Sequence, residues 1–467
     1  MRAASDQSPS LATKRSIHVV GVGGPGMSAI ASVLVGMGHS VSGSDVCEST
    51  VVDRLRSEGV VVSVGHSRDN IGADVDFVVA STAVPEENLE LETARSRSLP
   101  VVRRTTLLPA IANERRTIAV AGTHGKTTTA SMLALILIEA ERDPSFLIGG
   151  DLRQLGVNGR WASGELLVLE ADESDGSGFA VEHEAVIVTN IESDHLEHHG
   201  SFENLLIAFQ KFIAATSGPV VLCADDSETA KIAVGTTAVT YGQALDATVR
   251  CSDLRSSRSG STFDVVVGGQ VLGHIQLPVP GTHNALNACA AIALALELEV
   301  AFEHCVSALG HYGGVKRRFE SRGEINGVSF VDDYAHLRTE IKAAIAAGRD
   351  GGWQRLVVVF QPHRYSRTES LWMDYADAFA GADLLVLTDI YSAGEAPREG
   401  VTGQLIVDAV LGSHPAQSTV YVSNRAELAG VLVRELRKGD LCLTLGAGDI
   451  TTLADEVQSL LTQQASS

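Results

Sequence analysis

The segment Val120-Ala-Gly-Thr-His-Gly-Lys-Thr-Thr-Thr129 runs an apolar stretch into a glycine turn, Gly122-Thr123-His124-Gly125-Lys126-Thr127-Thr128, with helix-forming residues behind it. Glycines at such a strand-to-helix junction let backbone N–H groups approach phosphate oxygens. Lys126 can reach the terminal phosphates of a nucleoside triphosphate, and the Thr127 hydroxyl can complete the shell of a magnesium ion. The general spacing G-x-x-x-x-G-K-[ST] wants glycine where Val120 stands; here the first glycine lies only three residues before Gly125, so the loop is a shorter form. Two further apolar runs end in acids and imidazoles: Leu166-Leu-Val-Leu169 at Glu170-Ala-Asp-Glu-Ser-Asp175, and Ala185-Val-Ile-Val188 at Asn190-Ile-Glu-Ser-Asp-His195.

Magnesium prefers few carboxylates, with water and phosphate oxygens completing an octahedron, so Thr127 and Glu170 suit it. Imidazole is a poorer partner for so hard an ion, and chemistry alone reads His195 as a phosphate hydrogen-bond donor or a proton acceptor. Zinc at His195, His198 and His199 lacks a cysteine or a second histidine pair. Gly21-Val-Gly23-Gly24-Pro-Gly26 fits G-x-G-x-x-G, with Asp45 about 20 residues on to meet a ribose hydroxyl. Arg317-Arg318 could reach a triphosphate. Arg364 and Arg367, beside His363, can set two guanidinium forks on one carboxylate such as that of an amino acid. Activation by ATP with a carboxylate-bearing acceptor suggests an ATP-dependent ligase with moving domains.

Continuous apolar runs of this kind read as strands of a parallel sheet covered on both faces, whose ligands bind at the carboxyl ends. Lys126, Glu170 and His195 then converge on one crest. The chain is expected to be α/β with three domains. Residues 1–16 read as a disordered tail and 17–112 as a Rossmann-like domain. A central P-loop ATPase domain with a mostly parallel sheet takes 113–314, and a second Rossmann-like domain takes 315–467. A length of 467 residues fits several cores, and a formal charge of −21 argues against nucleic acid or an anionic membrane as the main partner. The six cysteines form no C-x-x-C pair, no secretory stretch opens the chain, and no apolar run spans a bilayer, so a cytoplasmic enzyme is expected.

Eight motifs in order resemble the Mur ligases of peptidoglycan synthesis: Gly21–Ser28, Gly122–Thr129, Glu170–Ser177, Thr189–His195, His283–Asn287, Arg317–Glu320, Phe360–Thr368 and Gly446–Ile450. The resemblance implies an N-terminal UDP-sugar domain, a central ATPase and a C-terminal amino-acid domain. It also implies ATP and Mg2+, an acyl-phosphate intermediate, and small-molecule substrates handled by a monomer or homodimer. Lys126, Glu170, His195 and Arg364 would be catalytic, with Thr127, Glu170 and His195 serving magnesium. Asn284 and Asn287 would lie by adenine, Arg318 and Asp333 by the ribose and phosphates, and Tyr334, His363, Arg364 and Arg367 by the amino acid. Gly23, Gly24, Met27 and Ser28 belong to the UDP-sugar motif, and Asp45, His66 and Ser81 would line the uridine site. The amino acid expected is L-alanine and the acceptor UDP-N-acetylmuramate, with attachment of a recycled tripeptide as the alternative. A nicotinamide-dependent oxidoreductase would leave Lys126 and Thr127 unexplained, and a nucleotide-gated binding protein would use the loop only as a switch. One departure stands out. Where the family reads Asp-Asp-Tyr-Ala-His-His-Pro-Thr-Glu, this chain has Leu337-Arg338, placing a positive charge where a helix dipole disfavours it.

Overall fold

A computed structural model describes residues 9–81, 84–194 and 196–466. His195 and the first eight residues of the expected tail lie outside them. Leu11, within the expected tail, is 5% exposed in a core cluster, and the first strand begins at Ser16. Packing groups the chain into two compact units. One comprises the chain up to Ser252 with Asp264–Ile275 and Leu286–Tyr312; the other comprises Asp253–Phe263, Gln276–Ala285 and Gly313 onward. The described residues form three sheets, and the first unit contains all of the first sheet and most of the second.

The first sheet holds β1 (Ser16–Val20), β2 (Ser40–Asp45), β3 (Val61–Val64), β4 (Phe77–Ala80) and β5 (Val101–Arg103) in the order β3-β2-β1-β4-β5, all parallel. Parallel neighbours need crossovers, supplied in part by α1 (Pro25–Gly36), α2 (Thr50–Ser57) and α3 (Leu89–Ser96); α4 (Arg104–Ala112) follows β5. Helix α1 buries every residue from Met27 to Leu34, so it is covered on more than one side. Part of that cover comes from the second sheet, where the Gly159 backbone lies so close that a Cβ there would sit 2.3 Å from the Ala29 carbonyl oxygen.

The second sheet contains β6 (Arg116–Ala121), β7 (Ser145–Leu152), β8 (Val157–Arg160), β9 (Leu166–Glu170), β10 (Ala185–Val188), β11 (Val220–Cys223), β12 (Val239–Gly242), β13 (Val249–Ser257), β14 (Gly260–Val267) and β15 (Gln270–Leu277). Their order is β15-β14-β13-β12-β11-β10-β6-β9-β7-β8. Strand β6 lies parallel between β9 and β10, with Val120 opposite Glu170 and Ala121 opposite Val188, so three carboxyl ends meet at one edge. Helix α5 (Lys126–Glu139) follows β6 and buries both its faces.

In the other unit the third sheet holds β16 (Glu320–Ile325), β17 (Val328–Asp333), β18 (Arg355–Phe360), β19 (Leu384–Thr388), β20 (Thr419–Val422) and β21 (Asp440–Leu445) in the order β16-β17-β21-β18-β19-β20. All pairs are parallel except the edge hairpin β16–β17, closed by Asn326 and Gly327, both at positive φ. Leu356, Val358 and Phe360 of β18 enter one core cluster, and Val357 and Val359 the other. That is the period-2 signature of a strand buried on both faces. Among the described residues no helix is long and apolar enough to cross a membrane.

Candidate functional site

At the carboxyl edge of the second sheet the backbone itself demands the two loop glycines. Gly122 has φ +126°, and a Cβ there would come within 2.1 Å of Thr189 Oγ1; Gly125 has φ +81°, and a Cβ there would come within 2.5 Å of Asn287 Oδ1. The loop is tied to the strand beyond by Asn190, whose Oδ1 accepts from His124 N at 2.8 Å, and by Thr189 Oγ1, which donates to the His124 carbonyl at 2.5 Å. Thr123 Oγ1 accepts from Glu192 N at 2.9 Å, and Thr128 is buried. Lys126 and Thr127 thus open α5 on a loop held from two sides.

Lys126 Nζ donates to the Gly122 carbonyl at 2.7 Å and to both Glu173 oxygens at 3.0 and 2.8 Å. Burial alone would lower its pKa, but the carboxylates of Glu173, Asp172 and Glu170 outweigh burial and raise it, so the ammonium persists. Thr127 Oγ1 donates to Glu170 Oε1 at 2.9 Å, and the other Glu170 oxygen accepts from Gly149 N at 2.6 Å. These hard oxygens fit magnesium with its remaining positions left to phosphate and water. Among the described residues no three His, Cys, Asp or Glu side chains gather as an all-protein metal cage.

On the first sheet, Asp45 Oδ2 accepts from Gly23 N at 2.7 Å, so in this structure the acid caps the glycine turn. Gly24 caps α1; Met27 and Ser28 are buried in it, and the Ser28 hydroxyl donates to the Pro25 carbonyl at 3.0 Å. Those two side chains therefore support the turn from behind. Ser81, at the end of β4, lies against Gly21, while His66 follows β3. A residue overlooked in the sequence stands between the two edges: Arg104, first in α4, has Nη1 3.1 Å from where a Gly26 Cβ would be and Nη2 3.6 Å from Asp172 Oδ2. The Arg103-Arg104 pair after a strand was its only signal. Glu173, also given no role from the sequence, lies inside the Glu170–Ser177 motif.

In the second unit, Arg317 and Arg318 prove to have different tasks. The Arg317 guanidinium donates to the carbonyls of Gly446 at 2.6 Å and Gly448 at 3.1 Å, fixing the glycine turn after β21. Arg318 lies over Tyr334, with its guanidinium carbon 5.3 Å from the ring centroid, and 3.9 Å from Glu340. Asp333 is buried, accepting from Phe319 N at 2.6 Å and Ala335 N at 2.7 Å. Burial lifts its pKa to about 6 against the opposing pull of Arg318. Asn284 is buried and donates to the Pro280 carbonyl at 2.7 Å. His363 Nδ1 lies 3.1 Å from Arg367 Nη1. Arginine only donates, so Nδ1 accepts and a neutral ring carries its proton on Nε2. Burial, with His336, Arg367 and Arg364 nearby, pushes the His363 pKa down to about 3, so the ring is a neutral donor. Arg364 is exposed at φ +72°, an uncommon conformation for a side-chain-bearing residue.

A phosphate loop with an acid at the neighbouring strand end, in a chain with further, mostly parallel sheets, defines an α/β enzyme class built around a nucleotide. The chain belongs to the Mur ligase family: residues 16–116 match the model described as "Mur ligase family, catalytic domain", 120–295 the "Mur ligase middle domain", and 317–448 the "Mur ligase, glutamate ligase domain". The UDP-N-acetylmuramate–L-alanine ligase of Desulforamulus reducens is 43% identical over 449 residues, 95% of this chain and 97% of that protein. The protein of the same description from Geobacter sp. strain M21 is 46% identical over 439 residues, 93% and 95% of the two chains. The crystal structure of UDP-N-acetylmuramate-alanine ligase from Thermotoga maritima superposes with a TM-score of 0.82 at 30% identity, covering 97% of this chain and all of that one.

Proposed function

We propose that this chain joins L-alanine to the carboxylate of UDP-N-acetylmuramate using ATP, giving UDP-N-acetylmuramoyl-L-alanine, ADP and phosphate in the cytoplasm for peptidoglycan synthesis. The observation that carries the reading is the gathering of Lys126, Thr127 and Glu170 at one strand edge of a chain 43% identical over 95% of its length to a ligase of that name.

In this reading the muramoyl carboxylate attacks the γ-phosphorus and ADP departs, leaving a mixed acyl-phosphate anhydride. The amine of L-alanine then attacks the acyl carbon, loses a proton to solvent, and the tetrahedral adduct expels phosphate to leave the amide. Lys126 supplies the fixed positive charge for the first step: phosphate oxygens replace Glu173 around its ammonium as charge builds on the transferring group. Magnesium held by Thr127 and Glu170 would neutralise phosphate charge when bound. Arg364 and Arg367 receive the α-carboxylate of the amino acid, with the Nε2–H of His363 as a further donor. Asn287, against the loop at Gly125, takes the adenine side.

Phosphate release with ATP, magnesium and UDP-N-acetylmuramate is expected with L-alanine. Release with the tripeptide L-alanyl-γ-D-glutamyl-diaminopimelate and none with L-alanine would replace this reading with the recycling ligase.

A further inference from the structure

Glu90, in the first turn of α3, is fully buried, and five polar groups surround its carboxylate. Oε2 accepts from Ser44 Oγ at 2.5 Å and lies 3.3 Å from His66 Nδ1 and 3.5 Å from His18 Nε2. Oε1 accepts from Asn70 Nδ2 at 2.5 Å and from Ser67 N at 3.2 Å. Burial alone would raise its pKa, but the nearby His18 imidazole and the hydrogen bonds from Ser44 and Asn70 prevail and hold it down at about 2. An ionised carboxylate can only accept.

That restriction passes to the next residue. The single Ser44 hydroxyl hydrogen is committed to Glu90, so at His66 Nδ1, 3.0 Å away, Ser44 Oγ can only accept. Both partners of His66 Nδ1 are therefore acceptors, and the ring must carry its proton there. A neutral His66 then presents a bare lone pair at Nε2, which no described residue engages. His66 stands just past β3 at the ligand-binding edge of the first sheet, where Gly65 N donates to the Asp45 carbonyl at 2.7 Å.

We infer that Glu90 is a positioning residue that fixes the His66 tautomer so that Nε2 accepts the N3–H of a uracil base, selecting uridine over cytidine nucleotides. The inference rests on the proposed UDP-sugar site at this edge. Uracil offers a donor at N3, where cytosine offers an acceptor. A cytosine would turn a lone pair on a lone pair, and its amino donor lies one ring position away.

The test uses the full-length chain at pH 8. Nitrogen-15 NMR of histidine-labelled protein should show the pyridine-type nitrogen of His66 at Nε2, and calorimetry should show UDP binding about tenfold or more tighter than CDP. Glu90→Gln, whose amide can donate to Nδ1, should move the proton to Nε2 and bring the UDP:CDP ratio to one or below, with ATP binding unchanged. His66→Ala, a partly exposed site, should erase the ratio and covers the case in which Glu90→Gln does not fold. An Nε2–H tautomer in the wild type, equal binding of UDP and CDP, or a folded Glu90→Gln that keeps the wild-type ratio would overturn the inference. Failure to bind either nucleotide would instead sink the UDP-sugar reading, and the inference with it.

Discussion

Lys126 is a charge kept ready inside the protein, and its partner Glu173 decides what happens when it is removed. Lys126→Ala should abolish phosphate release, by about three orders of magnitude or more, because the developing phosphoryl charge loses its fixed cation. It should also strand a buried carboxylate, costing roughly 3 kcal/mol of stability. Adding Glu173→Gln should restore much of the unfolding midpoint without restoring turnover; recovery of activity in the double variant would contradict the role given to Lys126. Two other buried acids carry opposite pH signatures. Asp333, lifted to about 6 by burial against Arg318, binds its proton more tightly folded than unfolded. Its contribution is fully present below about pH 4 and is lost as pH rises through 6. Glu90, held at about 2 against burial by the His18 imidazole and its hydrogen bonds, contributes above about pH 4.5 and loses that contribution as pH falls towards 2. Urea midpoints of the apo protein across pH 3–8 should therefore show Asp333→Asn flattening the first window and Glu90→Gln the second. Lys126, Thr127 and Glu170 were legible in the sequence because each sits in a short motif whose chemistry is local. The parts played by Glu173, Arg104 and Glu90 were not, since each acts on a residue 24 to 78 positions away that only the folded sheets bring near.

At the scale of elements, the helix Arg338–Asp350 begins without the proline expected from the family. Glu340 accepts from the amides of His336 at 3.0 Å and Leu337 at 3.2 Å, so a carboxylate in the first turn answers both the orphan donors and the helix dipole despite Arg338. Leu337 is already extended, at φ −108° and ψ 155°, as a residue before proline must be. Arg338→Pro should leave kcat within about twofold and stabilise by about 0.4–1 kcal/mol in thermal unfolding. A large rise in KM for either nucleotide substrate would instead make Arg338 a ligand contact. The buried parallel strands β6, β9, β10, β18 and β21 were readable because each is a largely apolar run that ends at a polar residue or glycine. Their outer neighbours were not. The hairpin β7–β8 is glycine-interrupted, and β13 and β15 mix polar with apolar residues over surfaces that are half exposed, patterns that resemble loops until a neighbouring strand pairs with them.

For the whole molecule, the described residues form three sheets, yet packing places the first sheet and most of the second in one compact unit. Strand and turn signals report where a sheet begins and ends, but not which helix is shared. The eight consecutive buried residues of α1 were the hint that it packs on more than its own sheet. A chain of net charge −21 that handles several anionic substrates must concentrate its cations locally, as it does at Lys126, Arg318, Arg364 and Arg367. The central claim is that ATP activates a carboxylate by phosphorylation. UDP-N-acetylmuramate labelled with oxygen-18 at both carboxylate oxygens tests it most directly. Turnover with L-alanine and ATP should place one labelled oxygen in the released phosphate and retain the other in the amide. Unlabelled phosphate, or label appearing in AMP, would contradict the account.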